Sequence, residues 1–459
     1  MSRARKRKAN KQRTTKRSVR PVAKSLPQSI REFLTPAVFR QVRNAASRRK
    51  QPRWDLHPLL YVLLLTTWCS GDSLPEKFEA ARGFYVLCCP KRRRPGKSFS
   101  GFEKACSKLP IPVLRALAAA LRTRIGTLFG GRLIYKDFVP LGCDGTRQSC
   151  PRSEELERRL GTFGKKDSSP ASPMLWNTSI VHLALGIPWC WRFGRGTKAS
   201  ERTHLRQMIP LLPRLALIVT DAGYVGYELI QALVEANVWF LIRMSSNATF
   251  YSEEETPLAR WREGIVYYWP KERRAADEPP IRGRLICVRS RRYKVDVWLL
   301  TNVEDRRRLP LKLASQFYRW RWESEGFFRT YKRTLKKIKL ESRTLRLIHR
   351  EAEASMIATQ LLLCQGALAM PTAREDEVPV VCSPRKVLLE IRREMRRPSP
   401  KNDFRIRLKS ARRDRRTRLS PKEKRVWPRR KKHKPPGPPE ILKMPDDLKS
   451  KLQQHFSAA

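Results

Sequence analysis

The stretch Leu215-Ala-Leu-Ile-Val219-Thr220-Asp221-Ala222-Gly223 decides the fold. Five apolar residues form a run too short for a helix of ordinary length, and the run closes on Asp-Ala-Gly. That reads as a short buried strand with a carboxylate at its end. A helical pattern follows from Val225 to Ala236, then a second strand from Val238 to Met244. Strand, helix and strand in such close succession place a sheet at the centre of the chain with helices packed on it.

Working outward, Leu133 to Cys143 alternates like a strand and ends in Asp144-Gly145-Thr146. Leu175–Leu185 and Trp189–Phe193 are strand-like and joined by Gly186-Ile187-Pro188, a hairpin signal. Residues 200–212 are helical. Residues 245–296 are polar and turn-rich with short β-like pieces, and read as an inserted β subdomain. The core resumes at Val297–Val303, and long helical segments follow at about 311–337 and 344–369. The expectation is an α/β fold, a mixed sheet with flanking helices.

The flanks differ in character. Residues 1–24 hold eleven Lys or Arg and no acid, a disordered basic arm. Residues 25–130 carry helical signals at Leu56–Trp68, Leu74–Val86 and Val113–Leu128, broken by the basic loop Lys91-Arg92-Arg93-Arg94, and suit a helical DNA-binding domain. The central α/β core is expected over 131–375. Residues 376–459 read as a basic, largely disordered tail, with 21 Lys or Arg against four acids between 391 and 434.

The 459 residues carry a formal charge of +56, from 98 Lys plus Arg against 42 Asp plus Glu. Such an excess points to a polyanionic partner, with double-stranded DNA the foremost and a small-molecule substrate not implied. The longest strongly apolar run, Leu59–Trp68, is too short to span a bilayer, and no apolar stretch follows the N-terminal charges as in a secretory signal. A cytoplasmic chain with reduced thiols is expected. The ten cysteines show no CxxC pair, so a zinc finger is not indicated.

Asp144 and Asp221, each at a strand end beside small residues, sit where ligands collect in open α/β sheets. Taken singly, either could be turn chemistry. The third carboxylate lies on the helix 311–337. At about 100° per residue, Tyr318, Arg321, Glu325 and Lys332 fall in a stripe roughly 60° wide, whereas Glu323 lies about 140° from Tyr318. An exposed Arg321–Glu325 pair would be the plain alternative. Two strand-end Asp and one helical Glu make an oxygen-rich set suited to Mg²⁺ or Mn²⁺, and two such ions can clamp a phosphodiester.

These residues resemble the bacterial insertion-sequence DDE transposases of insertion-sequence family four, whose signature is Tyr, two residues, Arg, three residues, Glu, six residues, Lys. The chain reads Tyr318-Arg-Trp-Arg321-Trp-Glu-Ser-Glu325-Gly-Phe-Phe-Arg-Thr-Tyr-Lys332. Asp144-Gly-Thr, Ser200-Glu-Arg-Thr-His204, Asp221-Ala-Gly-Tyr224 and Trp298-Leu-Leu-Thr-Asn302 are similar to further blocks of the family in its order, over about 135–370. The resemblance implies a ribonuclease-H-like core with a β insertion between the second Asp and the Glu. It implies Asp144, Asp221 and Glu325 as ligands of two Mg²⁺ ions, and Tyr318, Arg321 and Lys332 as phosphate contacts. Trp298 would receive a flipped base, although Val297-Trp298-Leu299-Leu300 also reads as a buried strand. The implied activity is cleavage at transposon ends, often through a DNA hairpin, then strand transfer, by a homodimer on DNA near the bacterial nucleoid. A non-catalytic nucleic-acid-binding protein and a structure-selective nuclease on the same core are the alternatives.

Overall fold

The structure, a computed structural model, describes residues 23–45, 54–162, 172–196, 199–289, 296–373, 377–413 and 437–457. The N-terminal arm, apart from its last two residues, and the segment 414–436 lie outside these. In chain order the first elements are helices: α1 Leu26–Arg31, α2 Pro36–Asn44, α3 Leu56–Thr66, α4 Leu74–Cys88, α5 Phe99–Lys108 and α6 Ile111–Phe129. Strand β1 (Val139–Ser149) follows, then α7 (Glu154–Leu160), the hairpin β2 (Met174–His182) and β3 (Ile187–Arg195), α8 (Glu201–Met208), β4 (Ala216–Thr220), α9 (Tyr227–Glu235) and β5 (Trp239–Met244). Next come β6 (Thr249–Ser252), β7 (Glu263–Tyr268), α10 (Lys271–Ala275), β8 (Ile281–Val288), β9 (Val297–Thr301), α11 (Leu311–Trp320), α12 (Trp322–Arg329) and α13 (Leu345–Ala369). The C-terminal elements are β10 (Val381–Cys382), α14 (Pro384–Arg396), α15 (Phe404–Arg407), β11 (Arg412–Arg413), β12 (Glu440–Lys443) and α16 (Asp446–Ser457).

Ten strands form one mixed sheet in the order β12-β6-β7-β8-β9-β5-β4-β1-β2-β3. Within it β1 runs parallel to β4 and β4 to β5, whereas β2 and β3 return antiparallel. The two-residue side-chain period of the strands sorts the core. Leu217 and Val219 of β4 and Leu241 of β5 pack against Leu313, Ala314 and Phe317 of α11. Their neighbours Ile218, Phe240 and Ile242 face the other way, with Leu229, Ile230 and Leu233 of α9. This alternation later dictates which face of the sheet each strand-borne carboxylate can reach.

Three features bear on the expected boundaries. The strands inserted within residues 245–296 prolong the main sheet, since β8 pairs with β9 and β9 with β5. The backbone groups of β9 would otherwise be an unpaired edge. Helices α1–α6 do not have a core of their own. They share one with α13, which is buried along most of its length. Trp68 Nε1 donates to the Ala358 carbonyl at 3.0 Å and Gln365 Nε2 to the Ser29 carbonyl at 3.0 Å.

The third concerns the segment after 376. Val387, Leu388 and Ile391 of α14 are buried in the same core as α13, and β12 adds a parallel strand beside β6. Met444, Leu448 and Leu452 pack on Tyr251, Tyr267 and Trp269. High charge misled here because one apolar helical stripe is enough to anchor an otherwise basic segment. No helix among the described residues is long and apolar enough to cross a membrane.

Candidate metal and DNA site

Asp144 is not at the end of its strand. β1 continues to Ser149, held by β2, with Asp144 opposite Ser179. Asp-Gly reads locally as a turn, but the long hairpin partner overrides it. The end that matters is that of β4. Its register with β1 pairs Gly142 with Val219, so two residues further on Asp144 stands beside Asp221. Beyond Thr220 the β4 chain turns away, and the flank of β1 is left open at Asp144. Strand parity gives both Asp residues the α11 face, since Cys143 and Ile218 occupy the opposite one. Asp221 holds its turn by accepting from Gly223 N at 2.9 Å, and Asp144 Oδ1 accepts from Gly145 N at 2.8 Å.

Helix α12 brings the third carboxylate. Its approach depends on Gly142, where a Cβ would lie 2.6 Å from Ser324 Oγ and 2.6 Å from Leu183 Cδ2. A side chain at 142 would have to displace the buried Ser324 and Leu183 side chains where α12 passes β1, and Glu325 follows Ser324. The helix expected over 311–337 is interrupted. α11 ends at Trp320, α12 starts at Trp322, and Thr330–Thr334 is wound as a π-helix. Arg321 at the break is buried, with Nη2 3.7 Å from Glu325 Oε1 and its guanidinium 5.8 Å from the Tyr318 ring centre. It therefore compensates carboxylate charge beside Asp144 and Glu325.

Electrostatics couple the three carboxylates. Burial raises the Asp144 carboxyl above the usual Asp range, and the charge of Asp221 adds to this, against the Gly145 N–H and Arg321. Glu325 is raised by burial first and by Asp144 and Asp221 as well, against Arg321 and Arg329. Each of the three thus lies within the field of the others. Such mutual repulsion is relieved by protons or by a cation. The donor chemistry, carboxylate oxygen throughout, fits a hard divalent ion such as Mg²⁺ or Mn²⁺. Among the described residues no three carboxylate, imidazole or thiol groups are gathered closely enough to enclose an ion. The fit therefore rests on donor type and mutual charge.

The remaining expected residues are dispersed in role. Tyr318 is half-buried against the α11 core. Lys332 sits in the π-helical turn, half-buried, and its ammonium is shifted down by burial. Glu323 points away from the Asp pair and pairs with Arg413 Nη2 at 2.7 Å. Trp298 is only 4% exposed, in the core beneath β9, and cannot accept a base as it stands. His204 is buried, 2.8 Å from Thr178 Oγ1 through Nδ1.

One carboxylate was overlooked. Glu201, the first residue of α8, turns its side chain over Gly145. Its place after a Ser N-cap reads from sequence as ordinary capping, and only the close pass of α8 over β1 distinguishes it.

No curated protein matches the chain. One solved structure, the cryo-EM structure of a piggyBac transposase synaptic complex with hairpin DNA, is similar with a TM-score of 0.40 and 11% identity, over 87% of this chain and 88% of that one. Residues 186–361 match the family model described as Transposase DDE domain, a stretch that includes Asp221, Tyr318, Arg321, Glu325 and Lys332 and begins after Asp144.

Proposed function

We propose that the chain is a DNA transposase of the insertion-sequence type, built on a ribonuclease-H-like core of β1–β5, and that Asp144, Asp221 and Glu325 hold its divalent metal. The observation that carries the reading is that Asp144 on β1, Asp221 just past the end of its parallel neighbour β4, and Glu325 on α12 lie within one another's field. The match of residues 186–361 to the transposase DDE domain supports it independently. A bound Mg²⁺ or Mn²⁺ supplies activation of the attacking oxygen and stabilisation of the leaving one.

The chain's own residues do the rest. Arg321 holds Glu325 and offsets the negative charge around Asp144. Lys332, with no ion pair or hydrogen bond to its ammonium among the described residues, is left to meet a phosphate. The surplus of 56 positive charges draws duplex DNA to the surface regardless of sequence.

The test uses full-length protein with duplexes bearing the inverted repeats that flank its gene. With Mg²⁺ the wild type is expected to cleave at the repeat boundary and join the freed end to a second duplex. Asp221→Asn is expected to lower cleavage at least about a thousandfold while binding the duplex as before, because cationic side chains supply most of the affinity. Cleavage by Asp221→Asn at the wild-type rate overturns the assignment. Cleavage without joining would instead make the chain a nuclease.

A further inference from the structure

We propose that a cation-rimmed cleft in the helical region, between the ends of α1 and α4 and the faces of α2 and α3, seats a single unpaired nucleotide of a DNA strand. None of the residues lining it belongs to the metal site.

The rim is positive. The cleft has a volume of about 690 Å³, and small-ligand clefts span about 300–1,000 Å³. Arg31, Arg40, Arg43, Lys91 and Arg92 line it. All five are exposed, and none forms an ion pair among the described residues. Arg31 is fixed at the edge by donating from Nη2 to the Cys88 carbonyl at the end of α4. Like charges gathered this way repel one another, and an anion placed between them relieves the repulsion. Burial, then the charges of Arg92, Arg43 and Arg31 against that of Asp55, lowers the His57 imidazole to about 4, so it is neutral at physiological pH.

The floor is aromatic and carries unused polar atoms. Phe39, His57 and Tyr61 lie ring against ring, with centres 4.4 Å apart for Phe39 and His57 and 4.7 Å for His57 and Tyr61. His57 Nδ1 is 3.0 Å from the Tyr85 hydroxyl, which leaves Nε2 without a partner among the described residues. The Tyr61 hydroxyl likewise makes no hydrogen bond among them. His57 is 7% exposed and Tyr61 4%, and both line the cleft. Polar atoms buried to this degree ordinarily have a partner. An inorganic anion would answer the rim and leave the floor unsatisfied. A nucleotide answers both, with its phosphate at the rim and the edge of its base on His57 and Tyr61. A base inside a duplex is paired and stacked, so the nucleotide that enters is one free of its partner. Beyond Arg92 the basic run continues through Arg93 and Arg94, both exposed, and offers a track for the phosphates that follow along a strand. A free nucleotide would need no such track.

Cys89 lines the cleft and is the one cysteine of ten that is not buried, so its alkylation reports occupancy. Full-length protein in EDTA is treated with N-ethylmaleimide alone, with a blunt duplex, with the same duplex bearing a single-stranded tail, or with a deoxynucleoside monophosphate. The tailed duplex is expected to slow alkylation of Cys89 about tenfold once in roughly tenfold excess over its Kd, and the blunt duplex much less. Tyr61→Phe removes only the hydroxyl. It is expected to weaken tailed-duplex binding about three- to tenfold, the worth of one hydrogen bond, and to leave blunt-duplex binding unchanged. Arg43→Gln, on the exposed rim, is expected to weaken the tailed duplex more than the blunt one, and decides alone should Tyr61→Phe not fold. Equal protection by blunt and tailed duplexes, with both variants binding the two alike, overturns the proposal and makes the cleft an ordinary backbone contact. Protection by the monophosphate equal to that by the tail, at the same nucleotide concentration, overturns it in favour of a free nucleotide. No protection by any of the three also overturns it. The metal is absent throughout, so Asp221→Asn is expected to behave as the wild type, and failure of the metal reading leaves this result untouched.

Discussion

Asp144, Glu201 and Glu325 share a condition set at the level of single side chains. Each is raised above the ordinary carboxyl range, first by burial and then by neighbouring carboxylates. A carboxyl that binds its proton more tightly in the folded state makes that state take up more protons than the unfolded chain. Unfolding free energy then increases as pH falls from neutrality through the raised folded values, and the gain stops at the unfolded carboxyl values near about 4. Glu32 and Glu351 are shifted the opposite way, so the total slope mixes signs. The difference between wild type and Asp144→Asn/Glu325→Gln isolates the site. In denaturant titrations of metal-free protein at several pH values, the double variant is expected to be the more stable near pH 7. Its advantage should shrink on acidification toward pH 4. An advantage that is constant with pH would show that the two carboxyls do not titrate as described.

At the scale of elements, the position of Glu325 depends on how the α12 segment is tied down at its far end. The π-helix after α12 leads to Lys337, whose Nζ pairs with Glu351 Oε1 of α13 at 2.7 Å. The same carboxylate accepts from Glu341 N at 3.0 Å and Ser342 N at 2.9 Å. Burial works against charge on Glu351, but Lys337 and these N–H groups outweigh it and hold the carboxyl below the usual Glu range. One buried carboxylate therefore fastens the whole turn between α12 and α13. Removing one partner of such a pair leaves an uncompensated buried charge. Glu351→Gln is expected to cost on the order of 3 kcal/mol in chemical denaturation. Cleavage should fall as well, since α12 loses its anchor. A variant as stable as the wild type would mean that the pair contributes nothing to this junction.

Across the whole molecule, the last described segment closes an edge of the ten-stranded sheet. β12 pairs with β6 over four residues, and Met444 after it, with Leu448 and Leu452 of α16, packs on Tyr251, Tyr267 and Trp269. Each large apolar side chain so buried contributes about 1.5–3 kcal/mol relative to exposure. Without this segment β6 would be an unpaired edge above an uncovered aromatic surface, the arrangement that invites association. A chain truncated after residue 436 is therefore expected to melt several degrees lower and to sediment as larger species at concentrations where the full chain does not. Unchanged melting and sedimentation would show that the edge is covered by other means.

Several features were legible because they depend on near neighbours in the chain. The three-residue and seven-residue spacings of Tyr318, Arg321 and Glu325 survive the break at Arg321, because that residue keeps helical backbone angles, φ −48° and ψ −33°. The same periodicity turned Glu323 to the other side, where Arg413 meets it. The run Leu215–Thr220 carried its own strand signal in its length and its closing Asp. Other features required distant segments to meet. Asp144 lies within a strand because residues 174–182 pair with β1 and override the local turn preference of Asp-Gly. The strands after Met244 prolong the sheet because β9 needed a partner. Arg321 became part of the site's interior, and Trp298 part of the core, through packing that no local pattern specifies. Glu201 is the clearest case: 55 residues lie between it and Gly145, and the two meet only because α8 crosses β1 where a side chain is missing. Periodicity and capping act within one or two helical turns and can be read along the chain, whereas burial, strand pairing and the field of one charge on another depend on distances through space that folding alone creates.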